Sequence, residues 1–412
     1  MYLTREEERI LAGEYGRAPQ YALELQIRFG KIFDAEQMVP IKHAHISCTS
    51  IRIEGALVPW LQELVGMGAK VRVPSTTMVT GCDLRNWREI GFDESKVTPV
   101  TDKLEVQLGT LYKMGITPTH TCVPYWLPGL QHLPGDHVAW CESSAIIYGN
   151  TVQALRMNRE CCQSALLAGI TGRTPYFGYH LTENRRGTVH VKVEADVKTG
   201  ADYSVMGFAL SDDMGLEVPV FTGLKNATPG YLANLSAAFT TRSGISMFHV
   251  VGVTPEASTF EAAMQGDKPK ETIVFTDNDL KKTYREINPQ EPQEIDWVYL
   301  GCPHFTINQI QEVADLLKGK KIKSGITFLV GTCRSIKDLA DQLGYTKTIE
   351  EAGGHIMCDC CGSVQALLPN PPKVGMYDAM KQVYYPKGSV PIIGSVKESV
   401  DAAISGKWIP PS

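Results

Sequence analysis

Residues 295–320 read IDWVYLGCPHFTINQIQEVADLLKGK. Trp297 to Leu300 form an apolar run of strand length, closed by Gly301 and Pro303, and the residues from Phe305 onward have the make-up of a helix. The step repeats: SGITFLVGTC (324–333) is a second apolar run and SIKDLADQLG (335–344) a second helical one. Upstream, MVPIKHAHIS (38–47) and AKVRVPST (69–76) read as strands around the helix GALVPWLQELVGMG (55–68), and GITPTHTCVPY (115–125) precedes DHVAWCESSAIIYGNTVQALRMN (136–158) in the same order. Strands that repeatedly feed helices predict mostly parallel α/β sheets with crossover helices. Thr4 and Glu7 stand at capping-box spacing before a first helix. TVHVKVEADV (188–197) alternates Val189, Val191 and Val193 with His190, Lys192 and Glu194, which predicts a half-exposed, antiparallel strand. The polar, proline-bearing stretch 265–296 reads as a join, and the expected sublobes are 1–135, 136–290 and 291–412.

Bulk properties exclude several classes. The chain has 412 residues, 43% hydrophobic and 21% charged, enough for a sizeable core. A net charge of -5 with no basic tract argues against a nucleic-acid partner or an anionic membrane surface. The first residues, MYLTREEERILAGEYG, are too charged for a signal peptide, and no apolar run reaches membrane-span length, so the expected location is the cytoplasm. In that reducing compartment, eleven cysteines are better read as metal ligands, catalytic groups or buried hydrophobes than as a disulfide framework.

Functional groups in parallel sheets gather just beyond the carboxyl ends of strands. Four such places carry cysteine here: Thr121-Cys122-Val123-Pro124-Tyr125, Gly301-Cys302-Pro303-His304, Gly331-Thr332-Cys333-Arg334 and Cys358-Asp359-Cys360-Cys361, the last within HIMCDCCG (355–362). None has the paired spacing of a structural zinc site or the tight run of a ferredoxin. Two readings stay open on spacing alone. Single thiolates from distant loops can hold an iron–sulfur cluster with one iron free, or the cysteines are buried small hydrophobes.

TCVPY (121–125), GDHVAWCESSA (135–145), NRE (158–160), LTENRRGTVHVKVEA (181–195), HVVGVTPEA (249–257), WVYLGCPH (297–304) and HIMCDCC (355–361) together resemble the large, catalytic subunit of the aconitase X family, along essentially the whole chain. The resemblance implies an aconitase-like, three-lobed α/β part around a central cluster site. It also implies an iron–sulfur hydro-lyase that acts on a small hydroxy acid, by open-iron removal of hydroxide. The cluster ligands it implies are Cys122, Cys302 and Cys361, with Cys358 and Cys360 as neighbours, and a 4Fe-4S rather than a 2Fe-2S cluster. Glu142, Ser143 and Lys381 match substrate-site residues. Arg334 stands where the family has an arginine suited to a carboxylate. Simple chemistry agrees, since dehydration needs a base, a Lewis acid and cations for the carboxylate. Bland alternatives are a helix-capping carboxylate for Glu142, a solvated surface lysine for Lys381 and satisfied core histidines for His43 and His45.

Known family substrates are mevalonate 5-phosphate in archaea and cis-3-hydroxy-L-proline in bacteria. Their phosphosubstrate loops correspond to Cys48, Thr49 and Ser50 and to Met78 and Val79 here, where a thioether replaces the family's asparagine amide. The expected substrate is mevalonate 5-phosphate or a close relative, with hydroxyproline or a further hydroxy acid as the alternative. The family's swivelling domain finds no room in 412 residues, which implies a separate small subunit that brings the catalytic serine base. From other classes, a zinc hydrolase using Cys302 and His304, or an inactive scaffold subunit, are the competing readings.

Overall fold

Thr4 caps the first helix, Arg5–Leu11, and exchanges bonds with Glu7 as its spacing predicts. The computed structural model describes residues 1–47, 57–385 and 388–411, so the expected substrate contacts at Cys48, Thr49 and Ser50 lie outside the described residues. Among the described residues, no helix is long and apolar enough to cross a membrane.

The first unit holds β1 (Met38–Pro40), β2 (Ala44–Ile46), β3 (Ser75–Thr77), β4 (Ala139–Trp140) and β5 (Arg173–Pro175). β3, β2 and β4 form a parallel sheet in that order, and β1 pairs antiparallel with β5. Helices Leu57–Gly66, Glu94–Lys113 and Cys162–Thr171 bury Leu61, Leu64, Leu111 and Ile170 against Ala44 and Ile46. A break at 135 does not follow this unit, because β4 hydrogen-bonds to β2 and β5 to β1. The segment 115–125 contributes only the bridge of Thr117 to Thr76 to a sheet, and then runs as loop into the single turn Pro124–Trp126.

The second unit carries β6 (Val189–Val193), β7 (Pro219–Thr222), β8 (His249–Val250) and β9 (Glu271–Phe275), in the order β8-β7-β6-β9. β6 is parallel to both neighbours rather than antiparallel. Its alternation arises because helices Gly200–Met214 and Pro229–Phe239 bury Val189, Val191 and Val193, while Lys192 stays exposed on the opposite face. The polar stretch expected to be a join is itself structured. It supplies β9 and the capped helix Asp277–Ile287, whose composition is polar because it buries only Leu280 and Thr283.

β10 (Gln293–Glu294), β11 (Trp297–Leu300), β12 (Thr327–Thr332), β13 (His355–Cys358), β14 (Val374–Tyr377), β15 (Val390–Ile393) and β16 (Lys407–Trp408) complete the molecule. Five of them make a parallel sheet, β13-β12-β11-β14-β15, and β10 pairs with β16. The chain leaves β11 on one side for β12 and β13, then returns to the other for β14 and β15. The carboxyl end of β11 therefore lies at a topological switch point, where the connections diverge and leave a crevice. Gly301 turns the chain there with a φ of 121°, and a Cβ at this position would run into the backbone of Gly331 at the end of β12. Only glycine lets the loops of Cys302 and Thr332 pass so close.

Candidate active site

Three cysteine loops meet at that crevice. Thr121-Cys122 leads into the single turn Pro124–Trp126, Cys302 follows β11, and Cys361 follows β13. His304 ties them: its backbone N–H donates to Cys122 Sγ at 3.4 Å, its Nδ1 meets Thr121 Oγ1 at 3.1 Å and its Nε2 meets the Cys360 carbonyl at 2.8 Å. Burial pushes the Cys122 thiol well up, and the charges of Glu142 and then Cys302 push in the same direction. Cys302 is pushed up to about 12, by burial first and by Cys361 as a lesser contributor, while Lys381 and a hydrogen bond from Gln382 pull it down. The buried Tyr299 hydroxyl feels Cys361, Cys302, Cys122 and Cys360 in turn. The charges of Cys122, Cys302, Cys360 and Cys361 thus all act on one buried hydroxyl, and Lys381 acts on Cys122 and Cys302.

Glu142 ends β4 and caps helix Ser143–Val152, its Oε1 accepting from Ser144 N at 3.2 Å and Ser144 Oγ at 2.9 Å. Lys381 Nζ donates to the same oxygen at 2.8 Å and to Ser143 Oγ at 3.1 Å. Glu142 is therefore a capping carboxylate and the partner of Lys381 together. Burial acts to raise the Glu142 carboxyl, but the Lys381 charge and the converging donors outweigh it and hold it below the ordinary range. Burial likewise opposes the Lys381 charge, and Glu142 and Cys302 more than restore it. Lys381 is no surface lysine: its side chain keeps only 18% of its exposure.

Arg334 goes elsewhere. Its Nη2 pairs with Asp83 at 2.9 Å and with Asp359, while its buried Nε has no hydrogen-bond partner among the described residues, so protein carboxylates hold one nitrogen of the group that the sequence suggested for a substrate. Asp83 also accepts from Cys358 N at 2.8 Å, which fastens the loop after β3 to the end of β13. Cys358 and Cys360 are fully buried, the Cys360 thiol bonded to the Cys358 carbonyl at 3.2 Å. Cys361 is half-buried, with its sulfur 3.0 Å from Ser363 Oγ. Cys333 is buried beside Ser335. Met78 and Val79 continue from β3 to Thr80, whose backbone N–H and hydroxyl donate to the Asp359 carbonyl.

His43 and His45 are satisfied core histidines. His45 Nε2 donates to the Thr121 carbonyl at 2.9 Å, so its Nδ1 accepts from Thr76 at 2.7 Å. Thr76 then accepts from His43 Nε2 at 3.0 Å, and His43 Nδ1 accepts from Trp140 at 2.8 Å. Burial pulls His45 down to about 4 and His43 well below its ordinary value, so both rings are neutral struts.

Family comparison covers the chain in sequence. Residues 1–183 match the aconitase X first domain, 187–285 the second and 295–405 the third.

The chain belongs to the aconitase X family. Among its relatives, the phosphomevalonate dehydratase large subunit of Thermococcus kodakarensis is 42% identical over 88% of this chain and 89% of that protein. The large subunit of the same name from Methanothermobacter thermautotrophicus is 37% identical over 88% of each. The cis-3-hydroxy-L-proline dehydratase of Pseudomonas aeruginosa is 29% identical over 97% of this chain and 70% of its own length. The crystal structure of Thermococcus kodakaraensis aconitase X in its holo-form superposes with a TM-score of 0.86 at 37% identity, over 98% of this chain and 100% of that one. These named relatives are dehydratases, so the activity class is that of a hydro-lyase rather than a zinc hydrolase.

In aconitase X terms the first domain supplies Cys122, Glu142 and Ser143, and the third supplies Cys302, Cys361 and Lys381. The second domain positions the third: Ser204 Oγ accepts from Met380 N at 2.8 Å, and Asn234 reaches the Cys302 carbonyl at 3.5 Å. Sequence reasoning missed these two, along with Asp83 and Asp378. Asp378, pushed up to about 7 by burial, accepts from Gly301 N at 3.0 Å. No local pattern marks Ser204 or Asn234, which sit inside ordinary helices. Asp378 could have been found as the first polar residue past the apolar run of β14.

The donor set suits an iron–sulfur cluster. Among the described residues, no three or more His, Cys, Asp and Glu side chains close on a point that could hold one metal ion. A cluster presents a separate iron to each thiolate and takes its sulfurs wider apart than an ion does. Soft thiols on loops tied together by His304, with Cys302 packed in an apolar cluster, are the donor chemistry such a group takes.

Proposed function

We propose that this chain is the large subunit of an aconitase X dehydratase that removes water from mevalonate 5-phosphate, and that Cys122, Cys302 and Cys361 hold its cluster. The observation that carries this reading is the Lys381–Glu142–Ser143 constellation beside thiols from three loops. A cluster of three protein thiolates supplies, when bound, a Lewis-acidic iron for the departing hydroxyl.

The chain's own residues do the rest. Lys381 has spent two of its three N–H donors on Glu142 and Ser143, and the third is free for a substrate anion. The bonds that hold Glu142 among the described residues all end on Oε1, which leaves Oε2 to accept a substrate hydroxyl. Ser143 Oγ is held by the same ammonium and faces the same space. Arg334 acts as a positioning residue that clamps Asp83 to Asp359 beneath the ligand loop. The general base comes from a small partner subunit, in keeping with the large-subunit names of relatives of matching length.

Mevalonate 5-phosphate is favoured over hydroxyproline because relatives named for it are more similar, 33–42% identical against 29–30%. A panel of small hydroxy acids, assayed with the anaerobically prepared chain and its small subunit together, should give turnover of mevalonate 5-phosphate and none of cis-3-hydroxy-L-proline. Turnover of hydroxyproline alone would reverse the substrate assignment. The large chain by itself should be inactive, and dehydration without the small subunit would refute the shared site.

Burial distinguishes the three adjacent thiols. Cys361→Ala should remove the cluster's visible absorbance and the activity, whereas Cys358→Ala and Cys360→Ala should keep both with some loss of stability. A Cys361→Ala chain with full iron and sulfide would shift the ligand role to Cys360.

A further inference from the structure

The hydrogen bonds of His304 can be accounted for completely. The Cys360 carbonyl can only accept, so Nε2 carries the ring proton and donates to it over 2.8 Å. At the other end of the wholly buried ring, Nδ1 pairs with the Thr121 hydroxyl at 3.1 Å. That hydroxyl in turn accepts from Val123 N at 3.1 Å, and the Thr121 carbonyl accepts from His45 at 2.9 Å. The backbone N–H of His304 donates to Cys122 Sγ at 3.4 Å. Each contact lies on, or one residue from, a cysteine of a different loop: Thr121 precedes Cys122, Cys360 precedes Cys361, and His304 itself lies two residues past Cys302. No other described residue bonds to all of these loops through its side chain and backbone together.

We propose that His304 is a positioning residue that sets the separation of Cys122, Cys302 and Cys361, and so determines how firmly and in what geometry a cluster is held. Its imidazole is a rigid spacer with a hydrogen bond at each end. A flexible side chain of similar size would pay more entropy for the same two bonds. The inference rests on the cluster reading above, and its test separates the two. Groups that orient metal ligands from behind typically change metal affinity by about 10- to 100-fold when removed.

The experiment compares the wild-type chain with His304→Ala and His304→Gln after anaerobic reconstitution with iron and sulfide. It measures iron and sulfide per chain, the electron paramagnetic resonance spectrum of the reduced protein, and the rate of iron loss to a chelator. His304→Ala should lose iron roughly ten times faster and show a broadened or shifted spectrum. His304→Gln, whose amide can still donate to the Cys360 carbonyl, should recover part of both. Wild-type rate and spectrum in His304→Ala would overturn the proposal. Faster iron loss with an unchanged spectrum and no recovery in His304→Gln would also overturn it, because that is the mark of a general loss of packing. A wild-type chain that takes up no iron and sulfide would overturn the cluster reading itself. Should His304→Ala fail to fold, Thr121→Val carries the test, since it removes the hydroxyl partner of Nδ1 and leaves the ring in place. Its iron loss should be faster than wild type with the same spectral shift, and wild-type behaviour there counts against the proposal.

Discussion

Arg334→Met is expected to destabilise the protein by about 3 kcal/mol, at the low end of the 3–5 kcal/mol typical of a broken buried ion pair. The low end applies because the Arg334 side chain keeps 17% of its exposure, so solvent screens part of the loss. Its two partners have no such relief: the Asp83 side chain is fully buried and that of Asp359 nearly so. Asp83 would keep its bonds from Arg85, Asn86 and Cys358 backbone N–H groups, while Asp359 would lose its cation outright. Asp359 sits at a positive φ of 65°, a conformation that costs a non-glycine residue and survives only where its surroundings hold it. Loss of the clamp should therefore also loosen the segment that leads to Cys361. Arg334→Lys should recover part of the loss, because a single guanidinium nitrogen, Nη2, reaches both carboxylates and an ammonium carries enough donors for the two. Chemical denaturation followed by circular dichroism checks the stability, and iron content checks the loop. A variant of wild-type stability with a large rise in KM would instead return Arg334 to the substrate.

Lys381→Met is expected to lower kcat by about 100- to 1000-fold, the cost of removing one preorganised charge from a reacting site. The pH profile should separate this from a packing defect. The Glu142 carboxyl is held below its ordinary 4.5, so the stability of its ionised form is present above that value and lost as pH falls through the lower folded one. Lys381 is raised above its ordinary 10.5, so its contribution is present below 10.5 and lost as pH rises through the higher folded value. Between those limits the pair stays ionised, and the wild-type profile should show no break from this pair. In Lys381→Met the ammonium no longer opposes burial, the largest influence on Glu142, and the Ser143 and Ser144 donors remain. The acid limb of the kcat profile should then move to higher pH. A large loss of kcat with an unmoved acid limb would mean that the ammonium does not govern Glu142.

Much of the third domain was legible before any fold was known. The apolar runs at 297–300 and 327–332 are strands, and each is followed by a helix, because a continuous apolar run bounded by glycine is a local signal for a strand buried on both faces. The capping pair of Thr4 and Glu7 was equally local. The direction of β6 was not. Alternation reports that one face of the strand is better covered than the other, and a parallel strand whose second face is left exposed at Lys192 produces the same pattern as an antiparallel one. The polar stretch 265–296 misled for a similar reason: an edge strand and a surface helix bury few side chains and so resemble a linker in composition.

At the site, residue chemistry and motif resemblance pointed to Cys122, Cys302, Cys361, Glu142, Ser143 and Lys381, since soft donors and charges at strand ends have few uses in a core. Sequence alone determined the α/β class, the cysteines at the ends of β11, β12 and β13, and the kind of chemistry they suit. Tertiary structure alone decided which carboxylate meets which cation. Lys381 lies 239 residues from Glu142, and Arg334 lies 251 from Asp83. Pairings across such distances depend on how three domains dock and where the β11 crevice opens, and no periodicity within a segment carries that information.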